Sequence, residues 1–178
     1  ECWPVDPFVE DEHYGEQFKY PGHPWRGIET AMRIYCSWLP CMVAFRTSQI
    51  WDREGWVRFL SLLCDHADYL RDHYSNHNRS SNWLTMESGA LLIAGIMFPE
   101  IKSDWMTLGV MHEVKYSFDN DGIHMERTPI YHMVAAGIYL QCWRLCKANG
   151  IPVAPYALPT LEKAADFLMS LVKPDFST

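Results

Sequence analysis

The sequence lacks an apolar run long enough to span a bilayer, and its first residues do not form a signal peptide. No useful stretch alternates apolar and polar residues, as a half-buried strand would. The six cysteines include no Cys-x-x-Cys pair, which argues against the usual kinds of zinc site and redox motif. Basic residues number 15 against 22 acidic ones, and the net charge of −7 argues against general binding to nucleic acid. These absences favour an all-α protein without membrane insertion and without a nucleic-acid partner.

Apolar and aromatic side chains are plentiful instead. The 178 residues fit one domain, and 48% of them are hydrophobic, which is ample for a sizeable core. Eight Trp, nine Tyr and eight Phe are a high aromatic load. Such rings fill cores, but they also line clefts in which sugar rings stack. A cleft can be locally basic on an acidic protein, so a polyanionic substrate stays compatible with this composition.

The helical pattern begins after an irregular lead-in. Residues 1–24 hold four prolines and show no periodicity. Beyond them, apolar residues recur at spacings of three and four. This pattern predicts helices from Arg26 to Arg46 with an interruption near Pro40, from Asp52 to Tyr74, from Trp83 to Met97 capped by Asn82, from Pro99 to Tyr116, from Pro129 to Ala148 closed by Gly150, and from Leu161 to Val172 capped by Thr160. Short loops between such helices predict antiparallel helix pairs in one domain spanning residues 25–178.

The segment from Asp121 to His132 concentrates the polar chemistry of the chain. Thr128 followed by Pro129 predicts a helix N-cap and first residue, because a hydroxyl satisfies an orphan N–H and proline has none. Tyr131 then lies in the first turn, where the positive end of the helix dipole favours a phenolate. Tyr131 therefore suits proton abstraction. The alternative is an ordinary amphipathic residue packed under a helix end.

Four segments resemble one known family. They are Trp25 to Arg33, Asn82 to Glu87 (Asn-Trp-Leu-Thr-Met-Glu), Ala94 to Glu100 (Ala-Gly-Ile-Met-Phe-Pro-Glu), and Asp121 to His132, which contains Glu-x-Thr-Pro-x-Tyr-His. In order and spacing they resemble the helical domain of the heparinase II/III family of polysaccharide lyases. The resemblance extends from about Trp25 to Val172, and its most specific part is the Tyr-His motif.

The resemblance implies an incomplete (α/α) toroid, which in this family precedes a large β-sandwich domain. It also implies an enzyme that cleaves uronic-acid glycans, such as heparan sulfate or alginate, by β-elimination. Family members usually carry a further catalytic histidine on the sandwich. Because this chain stops at Thr178, we expect it to be part of a longer enzyme and to contact that second domain. A periplasmic or secreted location is also implied.

The resemblance assigns roles to two residues. Tyr131 corresponds to the tyrosine that acts as base or acid, and Asn82 corresponds to the residue that contacts the substrate carboxylate. An amide N–H suits this task because it donates to the developing negative charge without titrating. The alternative role of Asn82 is a plain N-cap. Substrate contacts are expected from Glu87, His124, Glu126, Arg127, His132 and Arg79.

Several of these residues also have structural explanations. A helical glutamate such as Glu87 is often solvated or capping, and most loop arginines are solvated. His132 points about a third of a turn away from Tyr131, which makes it a structural partner rather than a direct catalyst.

Two other functions stay open, whereas a metal site is not expected. A non-catalytic glycan-binding domain would use the same aromatic cleft. A helical-toroid glycoside hydrolase would need two opposed carboxylates, for which Glu87 and Glu126 are candidates. A metal site would begin from His73 and His77 at i, i+4 spacing, but no third ligand is identifiable, so no metal or cofactor is expected.

Overall fold

The computed structural model describes residues 25–49, 51–73, 81–101 and 104–173, so the predicted lead-in of residues 1–24 lies outside the described part. The helices are α1 Gly27–Met32, α2 Leu39–Phe45, α3 Arg53–Asp72, α4 Asn82–Met97, α5 Asp104–Ser117, α6 Pro129–Ala148 and α7 Ala157–Leu171. Among the described residues there is no strand, and Phe118 forms one isolated antiparallel bridge with His124. The prediction of an all-α chain is confirmed. None of the described helices is long and apolar enough to cross a membrane.

Helix α4 is the central element of the described structure. It packs against α1, α3, α5 and α6, while α6 packs against α5 and α7. Its sequence is apolar on nearly every side, which suits a helix surrounded by others. The close approach of α4 and α6 requires a glycine, because a Cβ on Gly89 would lie 2.5 Å from Ile138 Cγ2. The middle of α4 therefore packs closely against α6.

The predicted interruption at Pro40 is wrong, because the chain stays helical from α1 through α2. A π-helical segment, Arg33–Trp38, joins the two helices directly before the proline. The backbone N–H of Leu39 accordingly donates to Ile34 O, five residues back. Proline has no N–H and its ring crowds the carbonyl four residues earlier, and the wider π turn relieves that crowding without breaking the helix.

Two predicted N-caps are also wrong. Ser81 caps α4, and its Oγ accepts from the N–H of Leu84 at 3.2 Å, so Asn82 is the first helical residue. Thr160 lies inside α7, where its hydroxyl donates to Tyr156 O at 2.9 Å. The helix starts earlier because Pro159 is tolerated in the first turn, where its N–H would have no helical partner.

The start of α5 differs as well. The sequence predicts that Pro99 opens this helix, but the described helix begins at Asp104. Phe98 has an extended backbone, as a residue before proline prefers, and the N–H of Ile101 closes a turn onto Phe98 O at 2.9 Å. Pro99 therefore belongs to the connection between α4 and α5.

Candidate active site

The first residue of α4 is joined to the loop that precedes α6. The backbone N–H of Asn82 donates to Glu126 Oε2 at 3.0 Å. The Asn82 side chain also donates, from Nδ2 to Oε1 at 3.0 Å and to Oε2 at 2.8 Å. A carboxylate is favourable here because the N-terminus of a helix presents unpaired N–H groups and positive potential. Asn82 is only 6% exposed, so little of its surface is open to solvent.

The loop from Asp119 to Thr128 is shaped by its own backbone and by α7. Asp119 Oδ1 accepts from the N–H groups of Asp121 and Ile123, at 3.0 and 2.9 Å, which fixes the turn. Gly122 has a φ of 81° and lies directly on the backbone of α7 at Lys163. The sequence signal for this turn was the Asp-Asn-Asp-Gly run, although sequence reasoning did not single out Asp119.

Two buried histidines connect this loop to α6 and α7. His132 Nε2 lies 2.9 Å from Ala164 O, and a carbonyl only accepts, so Nε2 carries the proton. His132 Nδ1 accepts from the backbone N–H of His124 at 3.2 Å, which fits the same neutral tautomer. His124 Nδ1 in turn accepts from the backbone N–H of Glu126 at 3.3 Å. These bonds occupy both ring nitrogens of His132 within the fold.

The side chain of His124 is fully buried. Burial lowers the pKa of His124, partly offset by the carboxylate of Glu126, so the ring is held neutral. With Nδ1 accepting, its proton belongs on Nε2, which is buried and has no hydrogen-bond partner among the residues that the structure describes. Phe118 packs edge-on against both His124 and His132, at ring-centroid distances of 5.5 and 5.3 Å.

Tyr131 lies in the first turn of α6, as predicted. Thr128 is the N-cap and accepts from the N–H of Tyr131 at 3.3 Å, and Pro129 is the first helical residue. These two predictions are confirmed. The side chain of Tyr131 is 42% exposed, in contrast to the buried His132 that follows it. A phenol is therefore presented to solvent at the start of this helix.

Arg127 is the one non-glycine residue in the described part with a positive φ, of 55°. Its guanidinium Nη2 lies 3.3 Å from Asp119 Oδ2 at the surface. A left-handed backbone costs an arginine of the order of 1 kcal/mol, so the loop contacts must impose it. Arg79, the other predicted arginine, lies outside the described residues.

Glu87 does not face solvent, so its interpretation as a solvated side chain is wrong. It is 0% exposed, and its carboxylate lies against Gly27, where a Cβ would overlap Oε1. Gly27 is the first residue of α1, and a carboxylate at a helix N-terminus is favourable. The contact ties α4 to α1 one turn beyond Asn82.

A cleft of about 250 Å³ adjoins the loop. It is lined by Ile123, His124, Arg127, Thr128, Pro129, His132, Phe167 and Leu171. His73, considered above as a metal ligand, stacks on Tyr69 at 4.3 Å, whereas His77 lies outside the described residues. The structure thus joins Asn82 to Glu126 and places His124, Arg127 and His132 along one cleft.

Comparison with known proteins gives the family. The family described as Heparinase II/III N-terminus matches residues 7–178. A heparin-sulfate lyase from Pedobacter heparinus is 30% identical over 161 residues, which are 86% of this chain and 24% of that protein. A heparin-sulfate lyase from Bacteroides stercoris is 26% identical over 160 residues, which are 86% of this chain and 23% of that protein. The chain thus spans about a quarter of the length of these curated relatives.

Solved structures agree with the sequence match. A crystal structure of heparinase III superposes with a TM-score of 0.77 at 24% identity, covering 88% of this chain and 25% of that one. A heparan sulfate lyase from Pedobacter heparinus gives a TM-score of 0.65 at 28% identity, covering 86% and 25%. The likeness confirms the predicted incomplete (α/α) toroid. Since the family match covers nearly the whole sequence, this chain belongs to the heparinase II/III family of polysaccharide lyases.

Proposed function

We propose that this chain supplies part of the active site of a lyase that cleaves a uronic-acid glycan of the heparan sulfate type by β-elimination. The substrate class is supported by the two relatives that are heparin-sulfate lyases. The observation that carries the proposal is the contact between Asn82 and Glu126, at 2.8 to 3.0 Å. It joins the start of α4 to the loop that leads, five residues later, to Tyr131.

Elimination at a uronate requires three chemical tasks. The proton on C5 is weakly acidic until the neighbouring carboxylate is neutralised, so a neutralising group, a base and an acid are needed. In the reaction the C5–H bond breaks, a C4=C5 double bond forms, the C4–O4 bond breaks, and O4 leaves with a proton. No water and no oxidant are consumed.

Asn82 is proposed as the neutralising group. A primary amide has two N–H donors. One of them directed between the two oxygens of Glu126 accounts for the distances of 3.0 and 2.8 Å, which leaves the second for the substrate carboxylate. An amide suits the role because it gives hydrogen bonds to developing charge without exchanging a proton.

Tyr131 is proposed as the proton-transfer group. Its exposure of 42% allows a sugar ring to reach the phenol at the start of α6. Arg127 and Arg79 are proposed contacts for the acidic groups of the polymer, whereas the side chain of His124 is buried. A catalytic histidine from outside this chain and a β-sandwich domain that contacts it belong to the same proposal.

The test is ultraviolet absorbance over time with heparan sulfate, alginate, hyaluronan and chondroitin sulfate, each added separately. The new double bond is conjugated to the carboxylate and absorbs where the intact sugar does not. The assay is run on this chain and on any longer protein that contains it. We expect a rise with heparan sulfate.

Two tyrosine variants make the assay specific. Tyr131→Phe should abolish the rise, whereas Tyr116→Phe, which alters another exposed tyrosine on α5, should not. Retained turnover in Tyr131→Phe would exclude the proposed proton transfer. Calorimetric binding of heparan sulfate oligosaccharides without any rise, even in the longer protein, would instead favour a non-catalytic glycan-binding domain.

A further inference from the structure

We propose that Glu126 is a positioning residue whose carboxylate fixes the orientation of the Asn82 amide. The inference rests on the proposed function of Asn82, and it departs from the expectation that Glu126 binds the sugar itself. It follows from a continuous set of hydrogen bonds that begins at the backbone of α7 and ends at the Asn82 side chain.

The contact selects one orientation of the amide. An asparagine side chain rotates about its last bond with a broad, two-fold preference, so its oxygen and nitrogen exchange places at little intrinsic cost. An ionised carboxylate only accepts hydrogen bonds. Both oxygens of Glu126 face Nδ2, at 3.0 and 2.8 Å, so Nδ2 must point toward Glu126 and Oδ1 away from it. The bonds are charge-assisted and therefore stronger than neutral ones.

Glu126 is itself held by buried groups. Its backbone N–H donates to His124 Nδ1, and the backbone N–H of His124 donates to His132 Nδ1. The proton on His132 Nε2 is donated to Ala164 O in α7. Both histidines are at most 1% exposed, which keeps water from competing for these bonds. The carboxylate is therefore presented to Asn82 from a rigid support rather than from a free loop.

Electrostatics favours positioning over direct substrate binding. A negative charge near the substrate carboxylate repels it, so Glu126 would weaken the binding of an acidic polymer rather than strengthen it. The start of α4 offsets part of this charge through the Asn82 backbone N–H, at 3.0 Å. If Glu126 weakens substrate binding but orders the neutralising amide, its removal should lower kcat. A group that contacts the sugar should act on KM.

The experiment compares Glu126→Ala, Asn82→Ala and the double variant in the longest natural form of the protein that contains this chain. We expect Glu126→Ala to lower kcat by about tenfold to a hundredfold, as misplaced catalytic groups do, with KM unchanged or lower. When Asn82 is already alanine, Glu126→Ala should lower kcat no further, because the amide that Glu126 orients is absent. Glu162→Ala, at an exposed glutamate on α7, is the control and should leave kcat unchanged.

The outcomes separate the two proposals. Wild-type turnover in Asn82→Ala would overturn the proposed function of Asn82. A lower kcat in Asn82→Ala together with a wild-type kcat in Glu126→Ala would overturn only the positioning role. The same conclusion would follow if the two single-variant decreases in kcat multiplied in the double variant. A raised KM at unchanged kcat would assign Glu126 to the sugar instead.

A spectroscopic measurement covers the case in which Glu126→Ala folds poorly. In the amide region of a ¹⁵N-labelled spectrum, the two protons of the Asn82 side chain should be widely separated in the wild type, because one of them faces a carboxylate. Glu126→Gln keeps the size and one acceptor oxygen but removes the charge. We expect it to reduce that separation and to lower kcat less than alanine does. An unchanged Asn82 signal in this variant would overturn the proposal.

Discussion

Replacing Gly122, the single glycine of the loop that carries Glu126, by alanine should strongly destabilise the fold. Gly122 has a φ of 81°, which L-residues with a Cβ rarely adopt. A Cβ here would lie 2.5 Å from the carbonyl carbon of Lys163 and 2.8 Å from the backbone N of Ala164. These are backbone atoms of α7, so they move only if the helix moves.

The expected loss has two parts. The left-handed conformation costs alanine about 1 kcal/mol. Overpacking against atoms that do not yield costs typically about 1–3 kcal/mol more. We therefore expect Gly122→Ala to lower the free energy of unfolding by about 2–4 kcal/mol. Shifting α7 would also strain the bond from His132 Nε2 to Ala164 O, now 2.9 Å, and so loosen the support of Glu126.

Two other glycines are matched controls. Gly150 has a φ of 68°, but a Cβ added there would meet no atom within 4 Å, so Gly150→Ala should lose only about 1 kcal/mol, the conformational part. Gly137 lies in α6 with open space around it, and Gly137→Ala should gain up to about 1 kcal/mol from helix propensity. The difference between Gly122→Ala and Gly150→Ala isolates the clash with α7.

The assay is urea unfolding followed by tryptophan fluorescence, with the midpoint and slope compared among the three variants. The order of midpoints should be Gly137→Ala above wild type, then Gly150→Ala, then Gly122→Ala. If Gly122→Ala costs no more than Gly150→Ala, the loop does not rest on α7, and the positioning of Glu126 loses its support.

Three further predictions concern stability. Burial, followed by the charge of Arg33, lowers the pKa of His66 from 6.5 to about 4. The neutral ring therefore stabilises the fold fully above about pH 6.5, and this contribution is lost as the pH falls through 4. The urea midpoint of the wild type should drop between pH 6.5 and pH 4, and that of His66→Gln should drop less steeply. Ser81→Ala should lower the free energy of unfolding by about 1 kcal/mol through loss of the α4 N-cap, and a melting temperature equal to that of the wild type would contradict the capping assignment. Tyr139→Phe should lower the free energy of unfolding by about 1–2 kcal/mol, because the fully buried hydroxyl of Tyr139 lies 2.7 Å from Ser117 Oγ and accepts from Thr85 at 3.3 Å. An unchanged urea midpoint would show that water replaces the hydroxyl.

The start of α6 is a local feature that the sequence predicts correctly. Thr128 and Pro129 start α6 as predicted, since a cap needs only a hydroxyl and an N–H three residues on. The assignment failed at α4, where serine and asparagine are adjacent and both can cap. Ser81 takes the cap and frees the Asn82 amide for Glu126, a partner 44 residues away.

The sequence by itself determined the all-α class, six of the helical regions, the start of α6 and, through its motifs, the family. These follow from periodicity and from short-range chemistry, which are local properties of the chain. Only the tertiary structure decided that Glu87 is buried against Gly27 and that Glu126 accepts hydrogen bonds from Asn82. It also decided that His124 and His132 support Glu126. Such contacts depend on how α4, α6 and α7 pack, and packing geometry is set by the whole set of side chains between the helices rather than by any one segment.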